Sequence, residues 1–547
     1  MKKTRINKKQ AVLVSFLIFF AGIVCACSDV FASSLYISNI VSEYDGTSDN
    51  TTVQFDISWS NAWRNTTNHD AVWVFVKYRA SATGTWTHAL MTSSGTNPTG
   101  FSAGTNDDAD VDLEIIVPSD RAGCFLQSDD VLVEGAGFVS VDDVEIVVTG
   151  PNADDSIQVF GIEMVYIPEG GYFAGDGVAT SSFISAYSTT SPWYISSEDQ
   201  IATESYGIYY SSGYYYQSDG SDGDDLNNAE FIIPDSFPKG YGAFYLMKYE
   251  ISQGTYRDFL NSLTALQKSR RVEATLSGND ENTYVMVSEA TVGVTYRQTI
   301  KALPPAQGGS DYTFICDYDN DNIGNESTDG EWIAMNLMYW ADLCAFADWA
   351  GLRPMTELEF EKACRGADVY PVQNEMAWGT ADCAQANSAQ TNEGQNTETP
   401  TNVGTAYIGL YTTGAAPAYG PFRSGFAASS GTTRVTAGAG YYGVTELGGN
   451  VYEQTVCVGH TKGRDFQGTH GDGSLSSDGD ATNSDWPGFD GTSVSTAGTW
   501  GFGVRGGSFA GTASRMTISD REEACWSYPA NRDSVFDAGG RLARTAP

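Results

Sequence analysis

The sequence predicts an α+β protein with few helices and long loops, preceded by an all-β sandwich. Three observations lead there. Apolar and polar residues alternate with period two over much of residues 33–155. Only three later segments carry a helical pattern. The chain also holds 59 glycines against 17 prolines, with Gly-, Ser- and Asp-rich stretches between its apolar runs. Apolar residues make up 41% and aromatics 12% of the 547 residues, which excludes a mainly disordered chain. A net charge of −38 argues against nucleic acid or an anionic membrane as partner, because both require clustered Lys and Arg. Such acidity suits solubility outside the cell and the binding of hard cations.

Residues 1–32 read as a signal peptide. Lys2, Lys3, Arg5, Lys8 and Lys9 precede an apolar run over 11–24, and Val30-Phe31-Ala32 offers small residues for cleavage before Ser33. Export to the extracellular space, cell surface or periplasm follows. An uncleaved anchor and a lipid-modified Cys27 are the alternatives. Two of the nine cysteines, Cys25 and Cys27, leave with this segment, and the odd remainder leaves at least one thiol unpaired. No C-x-x-C spacing exists. The histidines, His69, His88, His460 and His470, are scattered and read as surface or core residues.

In the predicted sandwich, residues 33–155, Val53, Phe55, Ile57 and Trp59 alternate with polar residues. So do Val111, Leu113, Ile115 and Val117, and then Val144, Ile146 and Val148. Residues 71–78 are more continuously apolar, as in a strand covered on both faces. A Gly/Pro/Asn/Asp-rich linker at 149–156 opens a second domain, residues 156–547. Insertions at 177–228 and 460–497 read as long polar surface loops, the first with tyrosines over 209–216 suited to contacting protein or glycan. Ser252 caps one helix, with Tyr256, Phe259, Leu260 and Leu263 on its face. A second runs from about 339 to 350 and stops at Gly351. A third starts at Thr356 with the capping box Thr356-x-x-Glu359 and ends near Gly366.

Five motifs in order carry a family resemblance. They are Met164-Val165-Tyr166-Ile167-Pro168-Glu169-Gly170-Gly171-Tyr172-Phe173, the strand and capped helix over 244–260, and Leu352-Arg353-Pro354-Met355-Thr356-Glu357-Leu358-Glu359-Phe360-Glu361-Lys362-Ala363. Then come Tyr442-Gly443-Val444-Thr445-Glu446-Leu447-Gly448-Gly449-Asn450-Val451-Tyr452-Glu453, and Arg505-Gly506-Gly507-Ser508-Phe509 with Arg521 and Gly540-Arg541-Leu542-Ala543-Arg544. Residues 160–547 thereby resemble the formylglycine-generating enzyme (sulfatase-modifying factor) domain. The resemblance implies a C-type-lectin-like fold. It also implies calcium ligated at Glu446, at the carbonyls of Gly449 and Val451, and at Glu453, with a second calcium site mapping loosely onto Asn387 and Ser388. The glycines around Gly449 permit turns that expose carbonyls, which with carboxylates suit Ca²⁺. Asp317, Asp319 and Asp321 form a third candidate. Gly is absent from the sixth position of that loop and Thr328 stands at the twelfth, so Asp329 or Glu331 would complete its shell.

The family's oxidase holds Cu(I) with two thiolates to direct O₂ chemistry at a peptide cysteine. By the motif those positions fall on Gly511 and Met516, and neither supplies a thiolate. The nearest cysteines, Cys457 and Cys525, could form a disulfide or a displaced copper site; oxidised pairing is the default outside the cell. The favoured expectation is an exported, non-catalytic, calcium-stabilised binding or scaffold protein for a protein or glycan ligand. The alternative is a copper-dependent formylglycine-generating oxidase acting on a sulfatase peptide through displaced cysteines.

Overall fold

The structure is a computed structural model. It describes residues 35–81, 84–105, 111–177, 182–185, 191–205, 213–220, 223–275, 283–287, 295–303, 305, 311–324, 326–383, 386, 390–401, 420–429, 431–495, 500–526 and 532–547. The predicted signal peptide lies outside these residues. Among them strands dominate and the α-helices are few and short.

A four-stranded sheet runs in the order Tyr36–Asp45, Asn50–Arg64, Leu132–Thr149, Leu90–Met91. A nine-stranded sheet has Ser156–Ile167 and Asp70–Arg79 at its centre. The inner faces of the two sheets share one apolar cluster. Val53, Phe55, Ile57, Trp59, Val144, Ile146 and Val148 meet Val72, Val74, Val76, Leu113, Ile115 and Val117 there. Alternation in the sequence thus translates into a one-sided apolar face. Asp70–Arg79 departs from alternation because both of its faces are covered. Val72, Val74 and Val76 belong to this cluster, whereas Ala71, Trp73 and Phe75 belong to the larger core on the other side.

The predicted linker is a short turn. Ser156–Ile167 pairs antiparallel with Asp70–Arg79 along its length, from Ser156 opposite Arg79 to Val165 opposite Asp70. Its far end pairs with Phe244–Met247, which in turn pairs with Leu542–Thr545. One sheet therefore passes without a break across residue 155 and reaches the C-terminal strand.

Five α-helices occur among the described residues: α1 (Gln253–Asn261), α2 (Ala265–Arg271), α3 (Trp340–Trp349), α4 (Glu357–Arg365) and α5 (Thr461–Arg464). Ser252 caps α1 by accepting from Thr255 N, as its sequence predicts. Helix α3 is buried on every side and ends before Gly351, whose φ of 69° is left-handed. Helix α2 lacks an apolar stripe and is missed by periodicity, although Thr264 and Gln267 form its capping box. No helix among the described residues is long and apolar enough to cross a membrane.

The two insertions are not the solvated loops their composition suggests. Phe183, Trp193 and Ile201 from the first, and Phe466, Trp486 and Val494 from the second, are buried in the main core. Large side chains spaced far apart in a polar background supply enough apolar area to dock an irregular segment. Two tyrosines of the cluster are corrected likewise. Tyr215 and Tyr216 are buried rather than presented to a ligand, and residues 206–212 lie outside the described residues.

Candidate functional site

The site is built around α4. Thr356 Oγ1 accepts from Glu359 N at 3.1 Å, and Glu359 Oε2 accepts from Thr356 N at 3.0 Å. The same Glu359 carboxylate holds the Arg353 guanidinium at 2.6 and 2.8 Å, so one residue closes the helix start and pairs a buried cation. One turn of spacing places Glu357 and Glu361 on a common face. Arg505 reaches both, at 2.9 and 2.7 Å. Arg521 forks onto Glu357 at 2.6 and 2.9 Å, and Arg365 joins Glu361 to Glu375. Burial alone would push Glu361 up, but Arg505 and Arg365 hold its carboxyl below the ordinary value. The charged residues of motifs distant in sequence are thus partners in one buried network.

Beyond Arg505 the strand Phe502–Arg505 enters the loop where the resemblance expects two thiols. Gly506 and Gly507 both have left-handed φ, 82° and 72°. A side chain at Gly507 would press into Met516, which is itself buried. Gly511 contributes no side chain. Ser508 Oγ donates to Asp537 Oδ2 at 2.5 Å, and burial lifts the Asp537 carboxyl to about 6. No thiol stands at either expected position.

Cys457 follows the strand Tyr452–Val456, which lies beside Phe502–Arg505, and it forms a disulfide with Cys525. Both cysteines are fully buried. Asp219 accepts from Cys525 N, and carboxylate oxygens of Asp219 and Asp224 lie within 4.8 Å of the Cys525 sulfur. Burial lifts Asp224 to about 7 against the pull of Arg521. As a bonded pair the two cysteines present no thiolate. Cys124, Cys316, Cys344 and Cys364 are buried free thiols, and desolvation raises each of them.

The segment 446–453 gathers carboxylates. Glu446, Gly449 and Asn450 all adopt left-handed φ, at 49°, 90° and 60°, which turns the backbone sharply. Glu446 Oε2 accepts from Gly425 N at 2.8 Å and from Thr445 Oγ1 at 2.6 Å. Glu453 Oε1 accepts from Arg541 Nε at 2.6 Å. The other oxygens, Glu446 Oε1 and Glu453 Oε2, are buried without a hydrogen-bond partner. Glu250 joins them, accepting from Val451 N at 3.1 Å and Asn450 Nδ2 at 2.5 Å. Burial first, then Glu453 and Glu446, raises Glu250. Glu250 and Asn450 are the residues sequence reasoning missed. A Glu in the apolar run before α1 is the signal that could have found the first.

In the acidic loop, Asp317, Asp319 and Asp321 come together with carboxylate oxygens within 4.8 Å. Asp317 is already engaged: Lys301 Nζ lies 2.6 Å from Oδ2, and Asp321 N and Asn322 N donate to its two oxygens. Asn387 and Ser388 lie outside the described residues. Each described sequence candidate therefore occupies one of three places: the disulfide, the 446–453 turn, or the acidic loop.

A family model described as the sulfatase-modifying factor enzyme 1-like domain matches residues 238–546, more than half of the chain. The match begins after the strand Ser156–Ile167, later than the resemblance suggests. No curated protein matches the chain.

Proposed function

We propose, from the premise that this chain belongs to the sulfatase-modifying factor enzyme 1-like family, that it is an exported, non-catalytic member. It acts as a binding or scaffold protein for a protein or glycan ligand, on a C-type-lectin-like domain preceded by a β-sandwich. The observation that carries the reading is the pair Gly511 and Met516 in the loop after Arg505. Cu(I) is selected by soft sulfur ligands, and a glycine with a buried thioether cannot make a two-thiolate site. The neighbouring sulfurs of Cys457 and Cys525 are joined to each other.

Calcium fits the 446–453 turn. Its two carboxylates each keep one buried oxygen unpaired, which is costly unless a cation or proton meets it. Glu446 and Glu453, with the carbonyls of Gly449 and Val451, would hold a Ca²⁺ whose role is to fix the turn. For the ligand, a cavity of about 480 Å³ is lined by Trp63, Tyr249, Tyr441 and Arg434, while Lys248 beneath it is held by Asp70, Glu163 and the Asn61 carbonyl. Aromatic faces beside a guanidinium suit a saccharide ring.

The test is a Cu(I) titration of the purified mature protein together with a thiol count before and after reduction. The reading expects no tight Cu(I) site in the oxidised protein. A stoichiometric, high-affinity copper site lost on Cys457→Ser would overturn it.

A further inference from the structure

We infer that the loop 317–329 carries a calcium site made by Asp319, Glu326 and Asp329, separate from the 446–453 turn. The sequence pattern points to Asp317, but the structure has given Asp317 an internal cation. Lys301 Nζ stands 2.6 Å from Asp317 Oδ2 and 2.6 Å from Asn320 Oδ1, with Asn322 Oδ1 at 3.2 Å. The ammonium occupies that side of the loop. On the other side, carboxylate oxygens of Asp319, Glu326 and Asp329 converge within 4.8 Å of one another. No basic side chain pairs with these three carboxylates among the described residues.

Asp329 turns this acidic cluster into a candidate site. Its side chain is fully buried. Oδ2 accepts from Glu326 N at 2.6 Å, but the other oxygen, Oδ1, is buried with no hydrogen-bond partner. The carboxyl that joins the triangle thus carries a buried oxygen with no partner, which is costly unless a cation or a proton meets it. Asp319 and Glu326 are exposed, so water can complete the coordination. Asp319 Oδ2 is oriented by Thr328 Oγ1 at 2.7 Å. An all-oxygen set of three carboxylates on irregular backbone suits a hard cation such as calcium.

The site would tie the loop to its surroundings. Gly330 N donates to Gly394 O, and Glu331 pairs with Arg257 of α1 and accepts from Gly254 N. A cation at Asp329 therefore fixes the join between α1 and the turn at 394.

The experiment is calorimetric titration of chelator-stripped full-length protein with CaCl₂, with bound calcium counted after dialysis. Asp319→Asn with Glu326→Gln changes only exposed side chains. It should bind one Ca²⁺ fewer per chain than wild type while keeping its circular dichroism. Glu446→Gln should remove a different Ca²⁺, so the two sites fail separately. Asp329→Asn should stabilise the calcium-free protein and abolish its response to calcium at this site. Unchanged stoichiometry in the Asp319/Glu326 variant, or an Asp329→Asn protein that binds as many Ca²⁺ and gains as much stability from calcium as wild type, would overturn the inference.

Discussion

Replacing Glu357 with Gln should destabilise the protein far more than its small change in shape suggests. Glu357 is fully buried and accepts from Arg505 Nη1 at 2.9 Å, Arg521 Nε at 2.6 Å, Arg521 Nη2 at 2.9 Å and Val458 N at 2.8 Å. Gln can still accept from Val458 N, so the backbone contact survives. Arg505 keeps Glu361 at 2.7 Å. Arg521 loses the carboxylate it forks onto while its guanidinium stays out of water. Leaving one member of a buried ion pair uncompensated costs about 3–5 kcal/mol. Guanidinium unfolding followed by tryptophan fluorescence would read this as a lower midpoint with an unchanged slope. The double variant Glu357→Gln with Arg521→Met should recover most of the loss, because the unpaired guanidinium is gone while Val458 N keeps an acceptor. A Gln variant less than about 1 kcal/mol below wild type would refute the view that this network is held by buried charge pairing.

Three further outcomes follow from the same geometry. Chelation should lower the melting temperature and added Ca²⁺ restore it, with about 2.7 kcal/mol of stabilisation when free calcium is 100 times the dissociation constant; an unmoved melting curve would remove the ion. Asp537 has its folded pKa raised from 3.8 to about 6, so the folded state binds the proton more tightly than the unfolded one. Its contribution is full below pH 3.8 and lost as pH rises through 6, about 3 kcal/mol in all; Asp537→Asn should flatten that fall in pH-dependent denaturation. Opening the Cys457–Cys525 link, with its sequence separation of 68, by paired Ala substitutions should cost about 4 kcal/mol in non-reducing denaturation.

The strands with one wet face are legible in the sequence because burial on one side imposes alternation, as at Val53 to Trp59. The three predicted helices are legible through their caps, since Ser252 and Thr356 satisfy backbone donors that nothing else would. What is not legible is contact at a distance. Nothing local to Glu357 announces Arg505 and Arg521 as its partners, although all three fall within motifs. The continuity of the nine-stranded sheet is hidden for the same reason: the turn at 149–156 has the composition of a linker, and pairing of Ser156–Ile167 with Asp70–Arg79 is a tertiary choice. Composition misleads at Trp193 and Trp486, where Gly and Asp neighbours dilute the average while single aromatics anchor the segment. At the acidic loop, spacing finds the carboxylates but not Lys301, which settles against Asp317 from another strand.

The most direct test is oxygen uptake by the copper-treated, calcium-loaded protein in the presence of a cysteine-containing sulfatase peptide and a thiol reductant. A family member with Gly511 and Met516 in place of sulfur ligands should consume no oxygen above the copper-only control and leave the peptide thiol intact. Conversion of that cysteine to formylglycine, abolished by Cys457→Ser or Cys525→Ser, would contradict it.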